Sequence, residues 1–478
     1  MHILMFSITP LFPSHDLGGA QKHLRSIARH LGALGHTVVI LSTARADTPR
    51  EFMWHERVTV RPILGFRQPF PGPYDVPAYQ LAEIVQDVAE HLDEADVFYI
   101  HDGEFLFPPV YAVRPTVVSL RDNVYPETVQ GGFGFRGHRL ILISQYARDF
   151  FIATAGRFYP ALADRTVIIR NGIDWSRFRP TPPGRILDLL GFDPAPYRLV
   201  LHPHRPEETK GLWQTIEVAD RLINREGMTD IRVCVPEWLG TEADAGVTAF
   251  YARARALIEA RGLTPYFRFH PWVPAELLQE YFSLGAVTLA LGNFVESFGN
   301  AVYESLGCGT PVVVARISSH RELLPEGYVD KVDFNDHDDA AERAAAIVRE
   351  GRRTPAHTLE YLHAHYSVET QLARYVEVIT GAQMAEPMQY TPHRLTDSTR
   401  YRLAPWCYRA RAGIYHDYRY DYLDDTRLTG LIDAFPAGFS TRDAATHAID
   451  AAQMEAWRRS GYLVPVVGAL ARITESEQ

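Results

Sequence analysis

The chain has 478 residues, 46% of them apolar, and a formal net charge of −10 at neutral pH. That length allows two or three domains with substantial cores, and the negative balance excludes a general affinity for nucleic acid. Three cysteines (Cys234, Cys308 and Cys407) are too few for a disulfide framework and fit a reducing, cytoplasmic setting. Neither a signal-peptide pattern nor a membrane-length apolar run is evident, while peripheral contact with a membrane stays open. Lysine is scarce: Lys22, Lys210 and Lys331 stand against 45 arginines, a bias suggesting a GC-rich bacterial source.

The first strand is expected at residues 2–7, followed by the turn Leu17-Gly-Gly-Ala-Gln21. In the next helix Leu24, Ile27, Ala28, Leu31 and Leu34 recur at helical spacing, and Gly35 ends it. With a strand at 37–41 this makes a β-α-β unit. Gly18 and Gly19, at its first crossover, allow close backbone approach to a phosphate, although a tight turn alone would also explain them. Further strands are expected at 58–63, 97–101, 116–120, 140–144 and 167–170. The proline- and aromatic-rich stretch 66–79 reads as a long functional loop.

Asn171-Gly172 and the run Pro180, Pro182, Pro183, Gly184 mark an exit from a first domain, 1–180. A second domain, 181–366, alternates strands (198–202, 231–235, 267–270, 287–291) with helices (212–223, 250–260, 276–283). Ser367 can cap a helix over 368–380. Beyond residue 382 the chain begins tyrosine-rich and strand-like, with Tyr401, Tyr408, Tyr415, Tyr418, Tyr420 and Tyr422. Helical segments at 425–434, 441–447 and 451–460 and a strand at 462–467 follow. Asp450 with Gln453 looks like a capping box and Gly461 like a helix stop. Strands, three helices and a last strand look like a small winged-helix module.

The most informative segment joins an apolar strand, 286–291, to a helix starting near Gly299 or Asn300. It reads Asn293-Phe-Val-Glu-Ser-Phe-Gly-Asn-Ala-Val-Tyr-Glu304. A helix start presents unpaired N–H groups and a positive dipole end that suit a phosphate. Glu296 and Glu304 bracket that start, about 12 Å apart if the span were helical. A sugar and a ribose on either side of a diphosphate are separated by about that distance. Each carboxylate can accept hydroxyl hydrogen bonds worth about 1.5–3 kcal/mol. Alone, two such glutamates would read as solvated surface residues. The following Gly307-Cys-Gly-Thr-Pro-Val-Val-Val314 completes a strand–loop–helix–turn–strand unit, and such sheets bind ligands outside the carboxyl ends of their strands.

On these residues the chain resembles the family 4 retaining glycosyltransferases of the GT-B fold, whose Glu-x7-Glu motif matches at Glu296 and Glu304. The resemblance runs from Met1 to about Gly381. It implies an α/β architecture of two doubly wound Rossmann-like domains facing a cleft. Residues 367–381 would form a helix returning to the N-terminal domain, and 382–478 would be a winged-helix-like α+β extension. The implied activity is transfer of a hexose or amino-hexose from a UDP-, GDP-, ADP- or dTDP-sugar, a co-substrate, with no resident cofactor.

The resemblance also implies roles. Arg205 and Lys210, in His204-Arg-Pro-Glu-Glu-Thr-Lys-Gly211, would offset charge on the departing diphosphate. The family usually has glycine where His204 stands. Glu304 would hold the ribose and Glu296 the sugar. Phe298, Gly299 and Asn300 would offer backbone N–H groups, Trp272 and Val273 would line the base, and Gly18 and Gly19 would meet the diphosphate. On the acceptor side, His101-Asp102 and Arg121-Asp122-Asn123 follow strands. Many family members carry histidine at Arg121, and a guanidinium cannot serve as a base. Arg121 would bind a donor phosphate or an anionic acceptor, leaving Asp122 or His101 to accept or relay the acceptor's proton, unless strand-end hydrogen bonding claims them. No Asp-x-Asp of the metal-dependent kind and no Cys/His cluster is present. The resemblance implies a metal-independent front-face mechanism.

Two other readings compete: a nucleotide-sugar epimerase or sugar phosphorylase of the same fold, and a catalytically silent GT-B binding module with the tail as its working part. A silent fold should have lost Lys210 or a clamp glutamate, and this chain keeps all three. The tail, with 11 basic and 12 acidic residues, is expected to hold an acceptor, an acceptor-bearing peptide or a partner protein; simple packing or self-association is the alternative.

Overall fold

A computed structural model describes residues 1–68, 72–103, 105–238 and 245–476. The chain divides into two compact units, the first made of 1–170, 369–416 and 422–478, the second of 171–368 and 417–421.

The first unit is built on an eight-stranded sheet. Its strands are β1 (His2–Ser7), β2 (Thr37–Thr43), β3 (Phe52–His55), β4 (Val58–Leu64), β5 (Val97–His101), β6 (Thr116–Leu120), β7 (Arg139–Leu142) and β8 (Thr166–Ile168). They lie in the order β3-β4-β2-β1-β5-β6-β7-β8, all parallel except β3. The central strands are covered on both faces, so they read as continuous apolar runs. Strand order reverses between β1 and β5, where Gly18 and His101-Asp102 leave the sheet. The helix Gly19–Ala33 buries Leu24, Ile27, Ala28 and Leu31 as its periodicity predicts. Tyr375 and Ile379, on the helix Val368–Thr380, pack with Val97, Tyr99, Val117 and Ile169 in the same core.

In the second unit β9 (Arg198–Leu201), β10 (Ile231–Glu237), β11 (Phe267–Pro271), β12 (Gly285–Ala290), β13 (Val312–Ala315) and β14 (Asp330–Val332) form a wholly parallel sheet. Its order, β11-β10-β9-β12-β13-β14, is the doubly wound arrangement, with its switch point between β9 and β12. This unit starts ten residues earlier than the proline-rich linker suggested. The Ile173 N–H donates to the Tyr366 carbonyl at 2.8 Å and Ile173 bridges Ser367, which keeps 171–180 with the second unit.

The tail carries β15 (Arg400–Leu403), β16 (Cys407–Ala410), β17 (Gly413–His416), β18 (Asp421–Leu423), β19 (Phe439–Ser440) and β20 (Leu463–Pro465). The helices Thr426–Ala434, Thr441–Thr446 and Ala451–Arg459 match expectation, and a further helix, Ala469–Ser476, was not foreseen. Strand β15 lies antiparallel between β19 and β20, while β16, β17 and β18 form a separate sheet. The expected Asp450 cap forms, accepting from the Gln453 N–H at 2.8 Å.

The tail is not a free appendage of its unit. Trp457, Met454, Leu463 and Leu470 share one apolar cluster with Ile152 and Ala153. Trp406 meets Phe150 edge-on at 5.6 Å, and a Cβ on Gly156 would stand 2.9 Å from that of Ala469. Tyr415, expected to supply contact surface, is fully buried between Tyr408 and Tyr422. Residues 69–71 of the proline-rich loop lie outside the described residues. Its Phe66 and Tyr74 pack against each other and Phe66 against Phe6, so this part belongs to the core wall.

Truncation after Gly381 should therefore uncover Ile152, Ala153 and Phe150, and yield protein that aggregates or melts well below the full chain. Trp457→Ala should cost about 3–5 kcal/mol. Urea unfolding of both checks this; a soluble truncated chain with an unchanged midpoint would contradict it.

Candidate functional site

Strands β9 and β12 are neighbours, and the loops leaving their carboxyl ends meet. Gly211 has φ +90°, and a Cβ there would lie 2.4 Å from the Gly292 nitrogen; one on Gly292 would lie 2.3 Å from the Thr209 carbonyl. Only glycines allow this approach. The Thr209 carbonyl accepts from the Asn293 and Phe294 N–H groups at 2.9 and 3.0 Å. The loop after β9, which carries Arg205 and Lys210, is thereby fastened to the loop after β12, which carries Glu296.

The result is a close pairing of the two sequence-predicted charges. Lys210 Nζ donates to Glu296 Oε1 at 2.5 Å, with only 12% and 25% of the two side chains exposed. The ammonium also sits 3.6 Å from the centre of the Phe294 ring, a cation–π contact. Burial pushes the Glu296 carboxyl upward, but the charge and hydrogen bond of Lys210 hold it below the ordinary carboxylate value. A small cavity of about 20 Å³ is lined by His204, Thr209, Lys210, Gly292, Glu296 and His320. Burial and the Lys210 charge lower the His204 ring to about 4, and its Nε2 is buried without a hydrogen-bond partner.

Arg205 is half-exposed, paired with Glu207 at 3.0 Å, and lies 6.0 Å from the Trp238 ring, which meets Trp272 edge-on at 4.6 Å. Val273 is buried beside this pair in sequence. The helix Asn300–Gly307 begins where the motif predicts. Its N-cap, Gly299, has φ +79°, and a Cβ there would strike the His320 ring at 2.3 Å. Phe298 is buried against Tyr303 and Tyr366, and Asn300 accepts from the Asn171 amide at 3.2 Å. Glu304, one helical turn in, is buried.

In the first unit, Gly18 caps its helix with extended backbone. His101 is buried with both nitrogens engaged: Nδ1 with the Tyr99 hydroxyl at 2.7 Å and Nε2 with the Ala20 carbonyl at 2.9 Å. Asp122 accepts from the Val124 and Tyr125 N–H groups and the Thr128 hydroxyl. His101 thus ties the end of β5 to the start of the helix Gly19–Ala33 and Asp122 orders the turn after β6, the strand-end hydrogen bonding that the sequence left as the alternative to a role as base. Their neighbour Asp102 is different. It holds a left-handed φ of +57°, and burial and the Asp122 charge raise it to about 7 against the pull of Arg121. Arg121 is buried and donates to the Tyr375 hydroxyl at 3.1 Å; Asn123 beside it is buried too.

Two neighbours of these residues escaped the sequence reading, His320 and Tyr375: neither lies in a motif, and each is brought there by tertiary packing. Asp102 was named with His101, but its raised carboxyl needed the fold to be seen. A larger cavity of about 290 Å³ near β13 and β14 is lined by Arg316, Arg343, Arg352 and Lys331. Arg316, Arg343, Arg352 and Lys331 are matched there by Glu326, Asp330, Asp333 and Asp339, and the cavity lies away from the loops that leave β9 and β12. Among the described residues no three His, Cys, Asp or Glu side chains converge as a metal site, and no helix is long and apolar enough to cross a membrane.

Two Rossmann-like units, one with a lysine–glutamate pair at its switch point, fit a glycosyltransferase of the GT-B class. Comparison with known proteins agrees. The model for Glycosyltransferase Family 4 matches residues 17–177, and that for Glycosyl transferases group 1 matches residues 193–360. D-inositol 3-phosphate glycosyltransferase of Acidothermus cellulolyticus is 27% identical over 361 residues, covering 70% of this chain and 78% of the relative. That of Thermobifida fusca is 25% identical over 408 residues, covering 78% and 91%. Among solved structures, Anabaena HepE in complex with UDP-glucose aligns with TM-score 0.61 at 20% identity, covering 80% of this chain and 100% of that one. Sucrose-phosphate synthase from Thermosynechococcus elongatus aligns with TM-score 0.60 at 16% identity, covering 78% and 96%. The chain belongs to the family 4 glycosyltransferases.

Lys210→Met should strand a buried carboxylate and cost about 1–3 kcal/mol at neutral pH. Because the folded value of Glu296 lies below its unfolded one, the pair's contribution is present above the unfolded value and lost as pH falls through the folded one. Urea midpoints should therefore differ between wild type and Lys210→Met at pH 7 and converge in acid. An undiminished gap in acid would contradict the pairing.

Proposed function

We propose that the protein is a retaining hexosyltransferase that uses a nucleotide-sugar donor without a metal ion and a phosphorylated polyol as acceptor. One observation carries the donor half: the Lys210–Glu296 pair sits at the β9/β12 switch point, next to the helix start that leads to Glu304. The UDP-glucose complex of HepE makes a uridine diphosphate sugar the first donor to try.

In this reading Glu304 accepts hydrogen bonds from the ribose, and the Asn300 helix start and Arg205 meet the diphosphate. Glu296 accepts from sugar hydroxyls. Substrate hydroxyls and phosphate then compete for Lys210 and Glu296, which now hold each other. The acceptor hydroxyl oxygen bonds to the anomeric carbon from the face that the diphosphate leaves. The carbon–oxygen bond to the phosphate breaks, and the hydroxyl proton passes to the departing phosphate oxygen. Lys210 and Arg205 stabilise the charge that grows there, which is where fixed cations accelerate a reaction most. Attack and departure on one face give retention.

On the acceptor side, the names of the inositol-phosphate relatives favour a phosphorylated polyol over a peptide-borne acceptor. Buried Arg121 supplies the cation for such a phosphate, and Asp102 the carboxylate to orient a hydroxyl. The tail has the helix–strand–helix–helix–strand order of a winged helix, with β15 as the third strand of its sheet. Its packing favours a supporting role over peptide capture.

A thermal-shift panel of UDP-, GDP-, ADP- and dTDP-sugars should give one clear stabilisation, about 2.7 kcal/mol at a hundredfold excess over Kd. Glu304→Ala should weaken that donor by about 1.5–3 kcal/mol. Product NMR should show the donor's anomeric configuration kept, and activity should survive a chelator. An inverted product, or activity lost to chelation and restored by Mg²⁺, would overturn the reading.

The pH profile tests Asp102. Its ionised form is the stronger acceptor for a hydroxyl, so kcat/KM for the acceptor should rise with pH through about 7. Asp102→Asn should flatten that rise; an unchanged profile would remove Asp102 from the acceptor site.

A further inference from the structure

Residues 417–421 belong to the second unit, although the chain on both sides of them belongs to the first. Asp417 is fully buried there, and its carboxylate receives two parallel bonds from Arg321, Nη1 to Oδ1 and Nη2 to Oδ2, each 2.8 Å. Oδ1 also accepts from the Ser318 N–H at 3.4 Å. Ser318 holds a left-handed φ of +42°, a conformation that a residue with a side chain keeps only where its surroundings enforce it.

The turn secured this way is the one that supports Glu296. Ser318 Oγ donates to the Glu296 carbonyl at 2.8 Å, and the Ser319 N–H donates to the same oxygen at 3.3 Å. The next residue, His320, lines the cavity with Lys210 and Glu296 and presses its ring on Gly299 at the helix start. Buried Lys331 fixes the far end, donating to the Arg321 and Leu324 carbonyls at 2.9 and 2.6 Å. Removing Asp417 would leave the Arg321 charge without its buried partner and the Ser318 backbone without its acceptor.

We propose that Asp417 is a positioning residue of the donor site: through Arg321 and the turn at 318–321 it sets the place of Glu296 at the sugar end. The tail, which the sequence suggested as a separate acceptor module, then contributes to donor recognition. A donor clamp built from family motifs alone would lack this support, because Asp417 lies outside the residues matched by either family model.

The proposal rests on Glu296 facing the sugar of a nucleotide-sugar. Its signature is selective: Glu296 touches the sugar, so displacing it should weaken a nucleotide-sugar and spare the free nucleoside diphosphate. The experiment is calorimetric titration of full-length wild type, Asp417→Asn, Ser318→Ala and Glu296→Gln. The probes are the nucleotide-sugar giving the largest thermal shift and its nucleoside diphosphate. In Asp417→Asn the ratio of the two Kd values should move about tenfold against the sugar form, as expected for one charged hydrogen bond. The diphosphate Kd should stay within about twofold. Ser318→Ala, which removes no buried charge, should move the ratio in the same direction and decides the matter if Asp417→Asn does not fold.

A wild-type ratio in folded Asp417→Asn or in Ser318→Ala, beside a collapsed ratio in Glu296→Gln, overturns the proposal and leaves the donor reading standing. A ratio unmoved even by Glu296→Gln refutes the donor reading, and the proposal falls with it.

Discussion

The ion pair between Lys210 and Glu296 is the interaction on which the rest of the second unit depends. Two charges 2.5 Å apart and mostly withdrawn from water are stable only where neighbouring backbone is fixed, since either charge alone would be costly. The doubly wound sheet supplies that fixity. Reversal of strand order brings the carboxyl ends of β9 and β12 side by side, and the facing glycines, Gly211 and Gly292, let their loops touch backbone to backbone. A cation from one loop and a carboxylate from the other then meet with little freedom left to lose. Such preorganisation is what electrostatic catalysis requires.

The same logic explains the helix that follows. Gly299 takes the left-handed conformation at its N-cap and leaves room for the His320 ring. The helix Asn300–Gly307 therefore starts against the His320 ring, which lines the same cavity as Lys210 and Glu296. The first unit repeats the plan at the β1/β5 reversal with a different outcome. There His101 spends its ring nitrogens on Tyr99 and the Ala20 carbonyl, and Asp122 its carboxylate on the turn after β6. That leaves Asp102 as the carboxyl whose charge is finely balanced.

Much of this was legible in the sequence because the relevant signals are local. Buried parallel strands such as 97–101 and 116–120 are short, mainly apolar and β-branched or aromatic runs, and both were placed to the residue. The Glu296–Glu304 spacing and the Arg205–Lys210 spacing mark directly the two loops that meet at the β9/β12 switch point. The edge strand β14 was missed for a physical reason: it reads Asp-Lys-Val, too short and polar to show a pattern. The sequence left the roles of His101 and Asp122 open because a residue at a strand end can either face a ligand or hold local structure, and the hydrogen bonds that distinguish the two are tertiary. Asp417 and His320 could not be found at all, since one is 96 residues from its ion-pair partner and the other matters through the space above a glycine. Three of the tail's helices were found from local signals, one of them the Asp450 cap, whereas its burial against Ile152 and Phe150 needed the third dimension.

The most direct test of the account is the steady-state transfer rate of Lys210→Met with saturating acceptor and varied donor. If Lys210 acts on charge that develops as the diphosphate leaves, kcat should fall by about a hundredfold or more while the donor KM changes little. A raised KM with kcat unchanged would mean that Lys210 only holds the ground state, and would contradict the central role given to its pairing with Glu296.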